Sequence, residues 1–209
     1  MSQKFFYTTF IFALSCANLC AQSVQLPAVF RDAEKQTQVM LQEIPAARTA
    51  RPELASPRTL DSGRLKMVAS RDWTAGFFPG ELWMLYEYTG KNEWKQQAET
   101  FTAQMEREKT NGGTHDMGFK IYCSYGNGYR LTKNPAYKNI IVQSAKTLIT
   151  RFRPVTGAIR SWDHNRDKWG YPVIIDNMMN LELLFAATKL TGDSSFYKIA
   201  VAHANTTMK

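Results

Sequence analysis

Residues 190–196 read LTGDSSF, and the chain builds the same stretch twice more, as YTGKNEW at 88–94 and LTKNPAY at 131–137. Each carries a threonine, then polar turn residues, then an aromatic at the same distance from the threonine. A pattern that returns in this way marks a repeated supersecondary unit, and the repeat is the first thing to settle about a fold. Downstream of each turn the sequence reads as a one-faced helix. Tyr137, Ile140, Ile141, Ser144, Ala145, Leu148, Ile149 and Phe152 follow the i, i+3, i+4, i+7 rule, as do Trp94, Ala98, Phe101 and Met105 one repeat earlier. Phe196, Ile199, Ala200 and Ala204 repeat it one unit later. Upstream, Leu82-Trp83-Met84-Leu85-Tyr86 and Leu183-Leu184-Phe185-Ala186-Ala187 are apolar on almost every side. A helix that is apolar all round is buried, and a one-faced helix covers it. The chain is therefore read as all-α, a succession of hairpins forming an α/α toroid or an open solenoid. Residues 45–70, polar and rich in Pro and Ser, read as an extended loop.

Counting back from the turn threonines aligns three further residues. Trp73, Asp116 and Asp176 precede Thr89, Thr132 and Thr191 by the same interval to within one residue. Equivalent positions in a stack line one rim, so one Trp and two Asp are expected around a common opening. The stretch PVIIDNMMNL at 172–181 sharpens the point, because Asp176 is a lone acid in an apolar run. A helix N-cap is the plain explanation. The alternative is a desolvated carboxylate working as general acid or base, with Asp116, beside His115, as its charged partner. The second interval between threonines is lengthened by RPVTGAIRSWDHNRDKWGYPVI, which runs directly into Asp176 and carries Trp162, Trp169 and Tyr171. Aromatic faces beside two acids suit a sugar cleft.

Other chemistries find little support in the pattern. His115, His164 and His203 lack metal-ligand spacing, and His203 falls on the covered side of the last helix. No GxSxG, Walker or dinucleotide motif occurs, and Cys123 reads as packing. No cofactor and no metal are expected. Residues 1–21 read as a secretory signal peptide, with Lys4 before a short apolar stretch and cleavage after Ala21. A lipid anchor on Cys16 or Cys20 fits less well. A periplasmic or secreted protein is expected, with no membrane contact unless lipid-anchored. The exported part, residues 22–209, keeps one cysteine and so no internal disulfide. The formal charge of +8 comes from scattered Lys and Arg, and with export this argues against nucleic acid.

RDWTAGFFPGELWMLYEYTG (71–90), THDMGF (114–119), IRSWD (159–163) and IIDNMMNLELL (174–184) together resemble the unsaturated glucuronyl hydrolases, glycoside hydrolase family 88. The resemblance implies an (α/α)6 barrel, of which this chain holds about the first seven helices, and hence a truncated enzyme ending at Lys209 within a helix. It implies removal of the terminal 4,5-unsaturated uronic acid from lyase-generated oligosaccharides by hydration of the C4=C5 vinyl ether. In that scheme Asp176 protonates C4, Asp116 supports it, and Trp73, His115 and Trp162 contact substrate. The remaining readings are a sister hydrolase acting on unsaturated rhamnogalacturonan pieces and a helical-repeat glycan-binding protein without turnover.

Overall fold

The computed structural model describes residues 25–209, so the expected signal peptide at 1–21 lies outside the described residues. Helix α1 (Leu26–Arg48) comes first and is followed by an antiparallel hairpin of β1 (Ser56–Asp61) and β2 (Arg64–Val68). This corrects the expected loop over residues 45–70: α1 runs into it and the hairpin fills much of the rest. Ser62 and Gly63, with φ of 51° and 76°, form the turn, and such a two-residue left-handed turn is a strong hairpin signal. Ser and Pro content masked it.

Three α-hairpins follow in the order the repeat requires. The first is α2 (Phe77–Thr89) with α3 (Asn92–Ala103). The second inner helix is a π-helical stretch (Gly118–Gly126) continuing into α4 (Asn127–Thr132), and its outer partner is α5 (Pro135–Ile149). A 3-10 turn (Glu106–Thr110) leads into it. In the third, the single turn α6 (Asn177–Asn180) runs into α7 (Glu182–Thr191), which α8 (Ser194–Thr207) covers. With α1 these make 7 helical rods. Between the second and third hairpins, a short pair of strands, β3 (Phe152–Arg153) and β4 (Ala158–Ile159), opens the long insertion.

The turn threonines do identical work. Thr89, Thr132 and Thr191 donate their hydroxyls to the carbonyls of Leu85, Gly128 and Ala187 at 2.7, 2.6 and 2.7 Å. The same oxygens accept from the amides of Lys91, Asn134 and Asp193 at 3.3, 3.3 and 3.1 Å. Each threonine thus ends the inner helix and starts the turn. The next residue is left-handed in all three, Gly90, Lys133 and Gly192, which caps the helix as usual at C′. Asn134 and Asp193 then cap the outer helices through the amides of Ala136 and Ser195.

Burial follows the expected division. Leu82, Trp83, Leu183 and Leu184 on the inner helices are all 0% exposed, and the outer helices turn Trp94, Ala98, Ile141, Leu148, Phe196 and Ala200 onto them. Adjacent inner helices touch through glycine. A Cβ on Gly76 would lie 2.2 Å from the Phe119 carbonyl, and one on Gly118 would lie 2.7 Å from the Asn180 Cα. That closeness holds the helix mouths in one short arc. Inside it lies a buried ion pair, Lys120 Nζ to Glu108 Oε2 at 2.9 Å, and Ser70 and Asn111 each donate to Glu108 at 2.7 Å.

Candidate active site

The two acids expected on one rim meet at a single imidazole. His115 and Asp116 stand at the mouth of the second inner helix and Asp176 at the mouth of the third. His115 Nε2 lies 2.9 Å from Asp116 Oδ1 and 3.3 Å from Asp176 Oδ1. A ring nitrogen facing two carboxylate oxygens carries its proton, since only a donor is attracted to both. His115 is 2% exposed and its amide donates to the Ser161 carbonyl at 3.2 Å, which fixes the ring from behind.

The two acids live in different surroundings, and not in the way apolar sequence neighbours imply. Asp176 was expected to be the more desolvated. Its side chain is 37% exposed against 19% for Asp116. Ile175 and Met179, the residues that make the run apolar, are themselves 72% and 64% exposed and so do not wall Asp176 in. Asp176 occupies the cap position of α6 but its side chain makes no cap hydrogen bond. Its Oδ1 is buried against His115 without a well-formed hydrogen bond, and the rest of the carboxyl faces outward. The plain explanation, a helix cap, is therefore not what this acid does.

Asp116 is the guarded member. Thr114 Oγ1 donates to its Oδ2, and its own amide donates back to Thr114 Oγ1 at 3.1 Å. Burial pushes its pKa up, but hydrogen bonding and charge from His115, the Thr114 hydroxyl and the Lys120 ammonium outweigh that and hold it below the usual carboxylate value. The result is a fixed negative charge beside a solvent-facing acid, a pairing suited to acid–base chemistry.

Trp73 packs on Phe119, three residues past Asp116, with ring centroids 5.8 Å apart; Phe77 packs against both at 5.8 and 5.4 Å. Trp73 is 44% exposed. Trp162 stacks on His164 at 5.4 Å, with Trp169 edge-on at 5.8 Å. A cleft of about 330 Å³ runs along Phe77, Phe119, Tyr122 and Met179, beside Asp116 and Asp176 in sequence. A larger cavity, about 700 Å³, lies between α1 and the β1–β2 hairpin and shares Trp73 and Phe77 with the rim, away from the acids. Phe77 and Phe119 were not singled out from the sequence, although each sits three or four residues past the aligned Trp73 and Asp116.

Two residues outside the site behave as expected. His203 is fully buried, accepts from the Ile159 amide at Nδ1 (3.0 Å), and burial lowers its pKa. Burial raises the Cys123 thiol to about 11, which disfavours the thiolate a nucleophile needs. A metal is a separate matter. One donor atom each from His115, Asp116 and Asp176 lie within 4.8 Å of one another, a convergence that histidine spacing along the chain did not reveal. Two carboxylates and an imidazole can hold a divalent cation, and acidic groups gather in this way without one as well.

The insertion is a built structure. Ser161, 2% exposed, accepts from His115, donates its amide to the Pro172 carbonyl at 2.8 Å, and accepts at Oγ from the Ile174 amide at 3.1 Å. It ties the histidine to the segment that ends in Asp176. Arg151, 3% exposed at its side chain, pairs with Asp163 at 2.8 Å and donates to the carbonyls of Gly112 and Arg160.

No family model matches the chain. An unsaturated glucuronyl hydrolase of Formosa agariphila is 57% identical over 143 residues, which are 68% of this chain and 36% of that relative. An unsaturated glucuronyl hydrolase of a Bacillus species is 34% identical over 148 residues, covering 68% of this chain and 39% of the relative. Among solved structures, an unsaturated glucuronyl hydrolase specific for heparin superposes with a TM-score of 0.73 at 40% identity, over 85% of this chain and 47% of that one. The solved relatives are (α/α)6-barrel enzymes, and the three hairpins described above are part of that architecture. The chain spans between 36% and 39% of the length of the curated relatives it matches.

Proposed function

We infer that this chain, which belongs to the unsaturated glucuronyl hydrolase family, carries the acid machinery that removes a terminal 4,5-unsaturated uronic acid from an oligosaccharide. The observation that carries this reading is the meeting of Asp116 and Asp176 at one imidazole nitrogen. The unsaturated ring is a vinyl ether, so a proton delivered to C4 leaves a cation at C5 that the ring oxygen stabilises. Asp176, the outward-facing acid, delivers that proton. Its carboxylate then takes a proton from the water that attacks C5, which restores the acid. The hemiketal opens and the next sugar leaves. Asp116 stays charged and opposes the developing positive charge, while His115 keeps the two carboxylates apart and oriented. Trp73 and Trp162 offer faces for the sugar rings.

The partner in this proposal is an unsaturated uronate-terminated oligosaccharide, and the leader-like sequence of residues 1–21 supports an encounter outside the cytoplasm. A second reading is glycan binding without turnover, which the exposed aromatics Trp73 and Trp169 would also serve. Loss of ultraviolet absorbance from an unsaturated disaccharide separates the two. Absorbance loss that disappears in Asp176→Asn supports the hydrolase. Ligand binding that survives that change, with no absorbance loss in the parent, supports the binder.

A further inference from the structure

One side chain, Asn180, spans the two helix mouths that carry the acids. Asn180 closes the single turn α6, four residues past Asp176, and is 0% exposed. Its Oδ1 accepts from the backbone amide of Phe119 at 3.0 Å, and its Nδ2 donates to the Asp176 carbonyl at 3.3 Å. Phe119 lies three residues past Asp116, in the first turn of the π-helical stretch that begins at Gly118. The first amides of a helix have no acceptor within it, so the bond to Asn180 satisfies one of them from the neighbouring inner helix. The residues ahead of the two helices leave that task open, since neither Met117 nor Asp176 makes a side-chain cap.

Two features make the span stiff. Gly118 presents bare backbone to Asn180: a Cβ there would lie 2.7 Å from the Asn180 Cα and 2.9 Å from its Oδ1. A primary amide also carries its acceptor and its donor on one planar group, so neither bond can shift without turning the other. On the Asp116 side, the Lys120 amide donates to the Asp116 carbonyl at 3.0 Å, which ties that acid's backbone to the same turn. The path from one acid to the other thus runs through Lys120, Phe119 and Asn180, all buried. Donor atoms of His115, Asp116 and Asp176 lie within 4.8 Å of one another. At such range a misplacement of about 1 Å can cost about 10²-fold in rate.

We propose that Asn180 is a positioning residue, a clamp that holds the helix mouth bearing Asp116 at a fixed distance from the one bearing Asp176. Its effect on turnover rests on the reading of the acid site given above; its effect on geometry is measured without turnover. In the whole chain, the Asp116 carboxyl titration, read by carbon-detected NMR, should move when Asp176→Asn removes the neighbouring charge, because carboxylates this close alter each other's proton affinity. In Asn180→Ala that movement should shrink to about half or less, since the coupling depends on separation. In the absorbance assay Asn180→Ala should lower kcat by about tenfold or more and leave KM within about twofold, because Asn180 bonds to backbone at the acids and not to the sugar. Urea unfolding checks that the variant is folded. If it is not, Asn180→Ser, whose shorter side chain cannot span both partners, carries the same comparison. An Asp116 shift of equal size in both backgrounds, or an unchanged kcat in a folded variant of an active parent, overturns the clamp. A parent titration indifferent to Asp176→Asn overturns the pairing of the acids and the clamp with it. No absorbance loss in the parent overturns the reading of the acid site, and the titration then decides the clamp by itself.

Discussion

Asp116 and Asp176, carried on different inner helices, direct their Oδ1 atoms at the same ring nitrogen of His115, from 2.9 and 3.3 Å. The imidazole is thus the bridge between a buried charge and an exposed acid. Without its donor, two carboxylates would face one another across a few ångströms, and like charges that close raise each other's proton affinity.

His115→Asn should therefore lift the Asp116 titration toward or above the ordinary carboxylate value, since His115 is the largest influence holding it down against burial. Carbon-detected NMR titration of the Asp116 carboxyl reads this directly. In an active preparation the same change should lower kcat by about 10²-fold or more with a smaller effect on KM, in the range of a lost acid–base interaction. An Asp116 titration that stays depressed would remove His115 from this role.

Ser161→Ala deletes the acceptor of the Ile174 amide, which then lies without its side-chain partner next to the Asp176 turn. The stability cost should be about 1 kcal/mol in urea unfolding, as for one part-buried hydrogen bond lost. Amide exchange at Ile174 should quicken more than at Thr89 or Thr191, which lie in the repeat turns. Uniform quickening across the chain would mean that Ser161 is merely part of the core.

Lys120→Met leaves Glu108 buried with Ser70 and Asn111 but no cation, and should destabilise by about 3–5 kcal/mol. Adding Glu108→Gln should recover a large part of that loss. If the double change is no better than the single one, packing of the lysine stem and not its charge supports the second inner helix.

Stability should also fall on mild acidification. Burial depresses the His203 pKa below 6.5, so the folded protein binds fewer protons there than the unfolded chain. The stability contributed by the neutral ring is complete above 6.5 and is lost as pH falls through the lower, folded value. Glu108 and Asp116 are also depressed, despite burial, and extend the loss at pH values below the usual carboxylate range. Urea midpoints between pH 7 and 5 should decline in the parent and flatten in His203→Gln, whose amide oxygen can still accept from Ile159.

Repacking the inner helices should be poorly tolerated where backbones touch. Gly76→Ala would drive a methyl into the Phe119 and Lys120 carbonyls, and a loss of about 2 kcal/mol or more is expected from such overpacking. Gly90→Ala meets no neighbour and should cost only the strain of its left-handed φ of 69°. Thermal melts of the two variants rank these effects.

The repeat was legible because each of its parts is a local event. A threonine that closes one helix, a left-handed residue after it, and an aromatic that opens the next are set by residues within a few positions of each other, so sequence alone determined the hairpins and aligned Trp73, Asp116 and Asp176. The hairpin at Ser56–Val68 was missed although its turn is equally local, because its exposed strands lack clean alternation. What only the tertiary structure decided is the character of the site. Burial is a property of neighbours in space, so the apolar run around Asp176 gave the wrong order of desolvation for the two acids. The approach of Gly76 and Gly118 to their neighbouring helices, the seat of His115 between two carboxylates, and the reach of Asn180 to Phe119 are contacts between distant parts of the chain. No spacing along the sequence encodes them, because each depends on how one packed helix is placed against the next.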